Sequence, residues 1–434
     1  MILKEFVSRM TERIWRLVIP GIAVVISSSA YPQSASVICL DSCYSMAARN
    51  YPLIRQYELV EKSKDFTISN ANKAYLPQVS ITGIGAYIIS GLPSISLPNM
   101  PAAAKQDVQF IGIAQISQLI WDGGATHTQK EVAKAGAGVD KASLDVSMYE
   151  IRDRVNQLYF GILLIDEQLK ILSILDENLA RSLRNVTLSK DNGLAYQTDV
   201  DQVKTEQLSV SQRRIEFTYA RQGYVDMLVF MCGSNLPGTS RLESPVSLES
   251  YSSLANMRPE LNLYENQQKA IQAAAAFDLV SVMPKFAVLG AGILIEPGIS
   301  FATSSINTLA IAGVSMSWST EGLYKLGTNK KLNQLKLDRI SNQKETFLFN
   351  TNIQLKQISS EIGKQKSILG NDDEIVALRK KIKNSYQVKY DNGFCSINDL
   401  INAINKESEA ISTRSLHQIQ MLMSIYNYKT KTGH

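Results

Sequence analysis

Apolar and polar positions alternate with a period of two over four unusually long stretches. Between Gln78 and Ser90, the residues Val79, Ile81, Gly83, Gly85, Tyr87 and Ile89 share one side. Between Val108 and Trp121, Gln109, Ile111, Ile113, Gln115, Ser117 and Leu119 do the same. Phe286, Val288, Gly290, Gly292 and Leu294 repeat the first pattern, and Leu309 to Trp318 makes a fourth run. Such alternation predicts strands over about 78–91, 108–121, 285–296 and 307–318. Globular strands usually hold ~5–6 residues, whereas a tilted barrel strand needs ~9–11 to cross a bilayer. Segments rich in Pro, Ser and Gly join the members of each pair, Gly91 to Lys105 and Pro297 to Ser305.

A different period follows each pair. Steps of four and three from Leu144 reach Met148, Ile151, Val155, Leu158, Ile162, Ile165, Leu169, Leu172, Asp176, Leu179, Leu183 and Val186. All but Asp176 are apolar, which is a sustained heptad. No proline interrupts Ala125 to Lys190, so the helix expected there is on the order of 100 Å long. Asp191-Asn192-Gly193 ends it, because Asn-Gly favours positive φ. Thr198 or Asp199 then caps a returning helix that carries Val203, Val210, Phe217 and Tyr224 at sevenfold spacing. The result is a helical hairpin over about 125–232. A second hairpin over about 325–428 is less regular, with Leu355, Ile358, Ile362, Leu369 and Val376. Gly370-Asn371-Asp372-Asp373 predicts a kink or short loop within it.

The two halves are copies. Pro52 and Pro259, Tyr57 and Tyr264, Pro77 and Pro284, Gly83 and Gly290, and Gly85 and Gly292 each lie 207 positions apart. Asp191-Asn192-Gly193 and Asp391-Asn392-Gly393, like Asp199 and Asp399, lie 200 apart. The change of offset reads as a seven-residue deletion in the second copy. Each copy opens with a helix near Pro52 or Pro259 that Pro77 or Pro284 terminates. The first structural repeat is placed at 31–250 and the second at 251–434.

Composition adds compartment. Lys4, Arg9, Arg13 and Arg16 precede the short apolar run Leu17 to Ile26, and Ser27-Ser28-Ser29-Ala30 follows. That is the order of an export signal over 1–30, cleaved after Ala30 or nearer Ala35; a short buried helix is the alternative. Lipidation at Cys39 fits poorly, because Ile38 is bulky. Four cysteines are too few for a disulfide scaffold. Cys39 and Cys43, four apart, are either a bridge at one end of a helix or two packed thiols, and Cys232 and Cys395 have no sequence-local partner. No run reaches ~18 apolar residues, which excludes a helical membrane protein. The mean hydropathy of −0.07 still suits a barrel, whose strands turn only alternate residues to lipid. The net charge of +5 is spread along the chain, so no nucleic-acid partner is expected.

Four long strands cannot close a barrel, and open edges in lipid leave backbone groups unpaired. Several chains must share one. Eight strands from two chains would barely hold side chains, whereas about twelve from three leave a lumen. A homotrimer is the economical expectation.

Several segments resemble the TolC-like outer-membrane efflux protein family. Leu40-Asp41-Ser42-Cys43-Tyr44-Ser45-Met46-Ala47 with Asn50-Tyr51-Pro52 is similar to its opening signature. Ala74-Tyr75-Leu76-Pro77 resembles its entry to the first strand, and Leu119-Ile120-Trp121-Asp122-Gly123-Gly124 its exit from the barrel. Asn192-Gly193-Leu194 through Asp199, and Asn392-Gly393-Phe394 through Asp399, resemble its hairpin tips. The resemblance implies a mixed α and β membrane protein: a trimeric twelve-stranded β-barrel continued by an α-helical periplasmic tunnel. It implies an outer-membrane exit duct for tripartite efflux or type I secretion. The partners would be a periplasmic adaptor and, through it, an inner-membrane transporter. By the same resemblance Asn192, Gly193, Leu194, Asn392, Gly393 and Phe394 contact the adaptor, and Asp199, Asp399, Tyr390 and Asn402 form a periplasmic gate. Two positions depart from the family pattern: Cys395 stands where a basic latch residue is expected, and Asn402 where an acid is. Trp121 and Trp318 close strands where an aromatic interface belt would sit.

Other chemistry is thin. His127, His417 and His434 are the only histidines, and none has metal-ligand spacing. Gly322 to Gly327 imitates a phosphate loop without its lysine, and Ser341 to Lys344 matches S-x-x-K as polar helices readily do. No catalysis, cofactor or metal is expected. The rival reading is an exported coiled-coil scaffold or adhesin without a pore, which explains the heptads but not the strands.

Overall fold

The computed structural model describes residues 38–87, 108–233, 242–246, 254–296 and 307–434. The export segment, the stretches 91–105 and 297–305 and the last residues expected of the first strand lie outside them. The elements run α1 (Leu40–Asn50), α2 (Ile54–Asn72), a 3-10 turn (Lys73–Tyr75), β1 (Gln78–Tyr87), β2 (Val108–Trp121), α3 (Ala125–Tyr149), α4 (Ile151–Asp191), α5 (Gln197–Cys232), α6 (Pro259–Val280), β3 (Lys285–Glu296), β4 (Asn307–Ser317), α7 (Glu321–Asp391) and α8 (Ile397–Thr432). From α2 onward the second half repeats the first in order. α1, at the start of the first copy, was read in the sequence only as a motif.

The four strands form one antiparallel sheet in the order β1-β2-β3-β4. Its register aligns Ile81 with Ala114, Ala114 with Gly292 and Gly292 with Ala310. One face thereby gathers Val79, Ile81, Tyr87, Phe110, Ile116, Val288, Leu294, Val314 and Met316. Gln118, Glu296 and Thr308 interrupt it near its two ends. The opposite face mixes Ile113 and Leu289 with Ser80, Thr82, Gln115, Ser117 and Lys285. Among the described residues both outer edges, on β1 and β4, are unpaired within the chain.

A buried carboxylate joins sheet to helices. Asp122 accepts the Tyr75 hydroxyl at 3.0 Å and the backbone N–H groups of Gly124 and Thr126 at 2.9 and 2.6 Å. Burial opposes its charge, but the bonds from Thr126, Tyr75 and Gly124 outweigh it and hold the carboxyl below the usual range. Gly123 is needed twice here: its φ is +69°, and a Cβ would stand 2.5 Å from that of Met283.

Below the sheet, α2 packs on α3, α3 on α6, and α6 on α7. Farther down, α4 packs on α5 and α8, and α7 on α8. The heptad holds: Val155, Ile162, Leu179 and Val186 are all but inaccessible, and Leu144, Ile151, Ile165 and Leu172 are buried. Val203 and Val210 of α5 meet them. Asp176, the exception in the series, pairs with Arg214 of α5 at 3.0 Å. The core divides into a cluster of α1, α4, α5 and α8 around Tyr159 and Phe160, and a second near the hairpin ends around Leu179 and Leu400.

Two expectations are corrected. First, α7 is a single helix of 71 residues that runs through 370–373 with no loop there. Asp372 Oδ2 lies 2.6 Å from His417 Nδ1 and Asp373 pairs with Arg414, His417 and Arg414 both being on α8. These bonds outweigh the poor helix propensity of Gly-Asn-Asp-Asp, ~1 kcal/mol for its glycine. Second, the first copy's long helix is divided at Glu150, whose φ of −60° and ψ of −21° still lie in the helical region. The expected shortening of the second copy falls between its strands: 20 residues separate β1 from β2, and 10 separate β3 from β4.

Candidate functional site at the hairpin tips

Each hairpin turns through the same backbone device. α4 ends at Asp191, and Gly193 takes φ +76°. The Gly193 N–H donates to Lys190 O at 2.9 Å and Leu194 N–H to Ser189 O at 2.8 Å. α7 ends at Asp391, Gly393 takes φ +77°, and the matching bonds to Tyr390 O and Lys389 O are 2.9 and 2.8 Å. This is a Schellman closure, in which a left-handed residue lets the last carbonyls be satisfied. Asn192 and Asn392 reinforce it by donating their side-chain amides to Leu188 O and Val388 O.

The residue after each glycine is apolar and unsupported. Leu194 is 81% and Phe394 82% exposed. A Schellman motif often packs this residue on the third or fourth residue from the helix end, here Ser189 and Leu188 or Lys389 and Val388, yet both knobs remain open to solvent. A Cβ on either glycine would meet nothing within 4 Å. Their requirement is therefore the positive φ, and the open space beside them comes with it.

Returning helices start on paired caps. Asp399 Oδ2 accepts the Ser396 N–H at 3.0 Å and its hydroxyl at 2.6 Å, while Asp399 N–H donates to Ser396 Oγ. These bonds from Ser396 lower the Asp399 carboxyl from its ordinary value. Asp199 likewise accepts the Tyr196 N–H at 2.8 Å. Thr198, the other capping candidate, lies within the first turn of α5.

Of the expected gate residues, the structure brings Tyr390 and Asp199 together across the two hairpins. Burial raises the Tyr390 phenol and the nearby Asp199 charge raises it further. No hydrogen bond joins the two, since the Asp199 carboxylate is engaged at Tyr196. Asp399 and Asn402 lie one turn apart on the exposed side of α8. Cys395 is half-buried and donates to Tyr386 O at 3.5 Å; burial raises its thiol.

Sequence reasoning missed one tie within the second hairpin and one between the two hairpins. Lys383 of α7 pairs with buried Glu407 of α8 at 3.0 Å, and Asn405 of α8 donates to Glu206 of α5 at 2.8 Å. Both partners sit on charged helix faces that read as solvated. At the other end, Trp121 packs on Phe286 with ring centroids 5.9 Å apart, and Trp318 Nε1 donates to Val282 O. Both indoles remain exposed, at 42% and 57%.

No known protein-family model matches the sequence, and no curated protein does. Solved structures do. The outer-membrane channel OprN superposes with a TM-score of 0.63 over 91% of this chain and 90% of its own, at 13% identity. The outer-membrane protein VceC of Vibrio cholerae gives 0.61 over 90% and 95%, at 10% identity. The MtrE outer-membrane channel of Neisseria gonorrhoeae gives 0.59 over 91% and 89%, at 12% identity. The chain therefore has the fold of the TolC-like outer-membrane channels, as its tip and strand motifs imply. These relatives span nearly their whole length on it, sheet and hairpins together.

Proposed function

We propose that three copies of this chain form an outer-membrane exit duct. In this reading β1 of one copy pairs with β4 of the next, closing about twelve strands around a lumen. The apolar face of the sheet meets lipid, with Trp121 and Trp318 at the interface, and the hairpins continue the duct into the periplasm. The carrying observation is a sheet with one apolar face and two open edges, continuous with hairpins that end in exposed apolar tips. A coiled-coil scaffold needs neither the apolar face nor the open edges. Leu194 and Phe394, beside Gly193 and Gly393 and their asparagines, receive a periplasmic adaptor that links the duct to an inner-membrane transporter of an efflux or type I secretion system. Substrate passes through without chemical conversion.

Asp199, Asp399, Tyr390 and Asn402 line the periplasmic end. Threefold symmetry brings copies of exposed Asp399 towards one axis, where their charges repel one another and attract cations. Detergent-extracted trimers in planar bilayers test the reading. They should conduct ions with cation preference, and Asp399→Ala should raise conductance or reduce that preference. Trimers that do not conduct would sink the duct; an unchanged Asp399→Ala channel would remove that residue from the gate. Charged substitutions at Gly193 and Gly393 should block export while trimers still assemble, with adaptor cross-linking lost.

A further inference from the structure

Two cysteines that are far apart in sequence meet in the first core cluster. Cys43 lies on α1 and is inaccessible; Cys232 is the last residue of α5 and is 6% exposed. They are 189 positions apart, and Cys232 Sγ lies 3.7 Å from the carbonyl oxygen of Cys43. Both thiols belong to the same buried cluster. Cys39, one turn earlier at the start of α1, instead has its thiol 3.0 Å from the Ser42 hydroxyl. Around the pair stand Leu40, Ala47, Leu228 and Tyr159, an apolar enclosure that holds both side chains in place.

We infer that Cys43 and Cys232 are a disulfide site, closed when the chain reaches an oxidising compartment. This goes beyond the duct reading and rests only on its export step. Buried thiols with no ligand and no catalytic neighbour act as small apolar side chains in a reducing compartment, but outside it such a pair becomes a cross-link. The bond has a structural purpose. α1 stands at the start of the first copy, and the second copy, 251–434, has Cys395 as its only cysteine. α1 rests only on neighbouring helices, and Gly233, with φ +86°, ends the helix that carries Cys232. A covalent tie would fix both loose ends while closing a long loop, the case in which cross-linking constrains the unfolded chain most.

The chemistry balances with a protein or small-molecule disulfide as oxidant. One thiol of the pair, taken here as that of Cys232, once deprotonated attacks one sulfur of the oxidant and expels the other as a thiolate. Cys43 then loses its proton, attacks the Cys232 sulfur of the mixed disulfide and releases the oxidant as two thiols. Two thiols are oxidised, one disulfide is reduced, and both protons end on the oxidant.

The test uses the full chain expressed in a host with an outer membrane. Envelope material is denatured with a thiol-blocking maleimide, digested without reductant and mapped by mass spectrometry. The tryptic peptide ending at Arg49 carries both Cys39 and Cys43, so fragment ions assign the link. A Cys43–Cys232 link is expected, with Cys39 and Cys395 labelled. Label on both Cys43 and Cys232, or a link between Cys39 and Cys43, overturns the inference. Fractionation of the same cells separates the two claims: envelope-located chain with both thiols labelled defeats the disulfide alone, and chain found only in the cytoplasm defeats the duct reading as well. As a second measurement, reductant should lower the unfolding temperature of the wild-type trimer and leave that of the Cys43→Ala/Cys232→Ala protein unmoved; an equal shift in both would also overturn it.

Discussion

Gly193 and Gly393 are held by conformation alone. Each stands in the left-handed region with open space where a Cβ would go, so alanine costs about 1–2 kcal/mol of backbone strain and no collision. Gly393→Ala should lower stability by that amount in detergent unfolding and leave trimers intact. Asp122 is held by its partners. Asp122→Asn keeps the size but leaves one oxygen for three donors and turns an NH2 group toward the rest, a loss of about 1–3 kcal/mol. Because its folded carboxyl lies below the ordinary value, its contribution is complete above the usual carboxylate range, near ~4, and fades as pH falls through the depressed value. The asparagine variant should show less acid sensitivity in the same unfolding assay. Asp122 was visible in the sequence only as part of an exit motif. Its role depends on Tyr75, 47 positions away, and no local pattern connects them.

At the scale of the element, Lys383 and Glu407 pin α7 to α8 with little access to water, at 20% and 10% side-chain exposure. Glu407→Gln leaves Lys383 half-buried without its counter-charge and should cost about 1–3 kcal/mol. Adding Lys383→Met should recover much of it, and a double-mutant cycle by chemical unfolding reads the coupling. The heptad of α4 was legible because burial repeats every 3.5 residues, and each predicted position is visible in one short window. The segment 370–373 was misread for the opposite reason. Its own residues disfavour a helix, while His417 and Arg414, which decide the matter, lie on another helix. Cys232 belongs to the same class: its partner is on α1, beyond any periodic signal. Tyr390 and Asp199 were connected by family resemblance alone, since nothing local relates residues in different copies.

For the molecule as a whole, the sheet faces carry the sharpest expectation. Val314→Lys places a charge on the apolar face, where a lipid neighbour would make it cost about 2–4 kcal/mol. Ser317→Lys, on the mixed face, serves as its control. Heat-resistant trimer on gels should fall for the first and persist for the second; equal behaviour would remove lipid from the apolar face. The sheet itself was legible because its alternation is long. Its order and shared register required the structure, since period two fixes which face a residue takes but not which strand lies beside it.

α7 contains four residues more than α3, Glu150 and α4 together. Four residues advance a helix by about 6 Å and turn it through about 400°, a full revolution with roughly 40° left over. In coiled-coil terms the second copy carries a stutter, an insertion that locally unwinds the superhelix. Its apolar stripe therefore changes phase along its length, which accounts for the weaker heptad there. The two hairpins of one chain are twins at their tips and unequal as springs. In the proposed duct, a twisting load at the tips would meet one unbroken helix and one interrupted at Glu150, so the two hairpins of each copy should not respond alike.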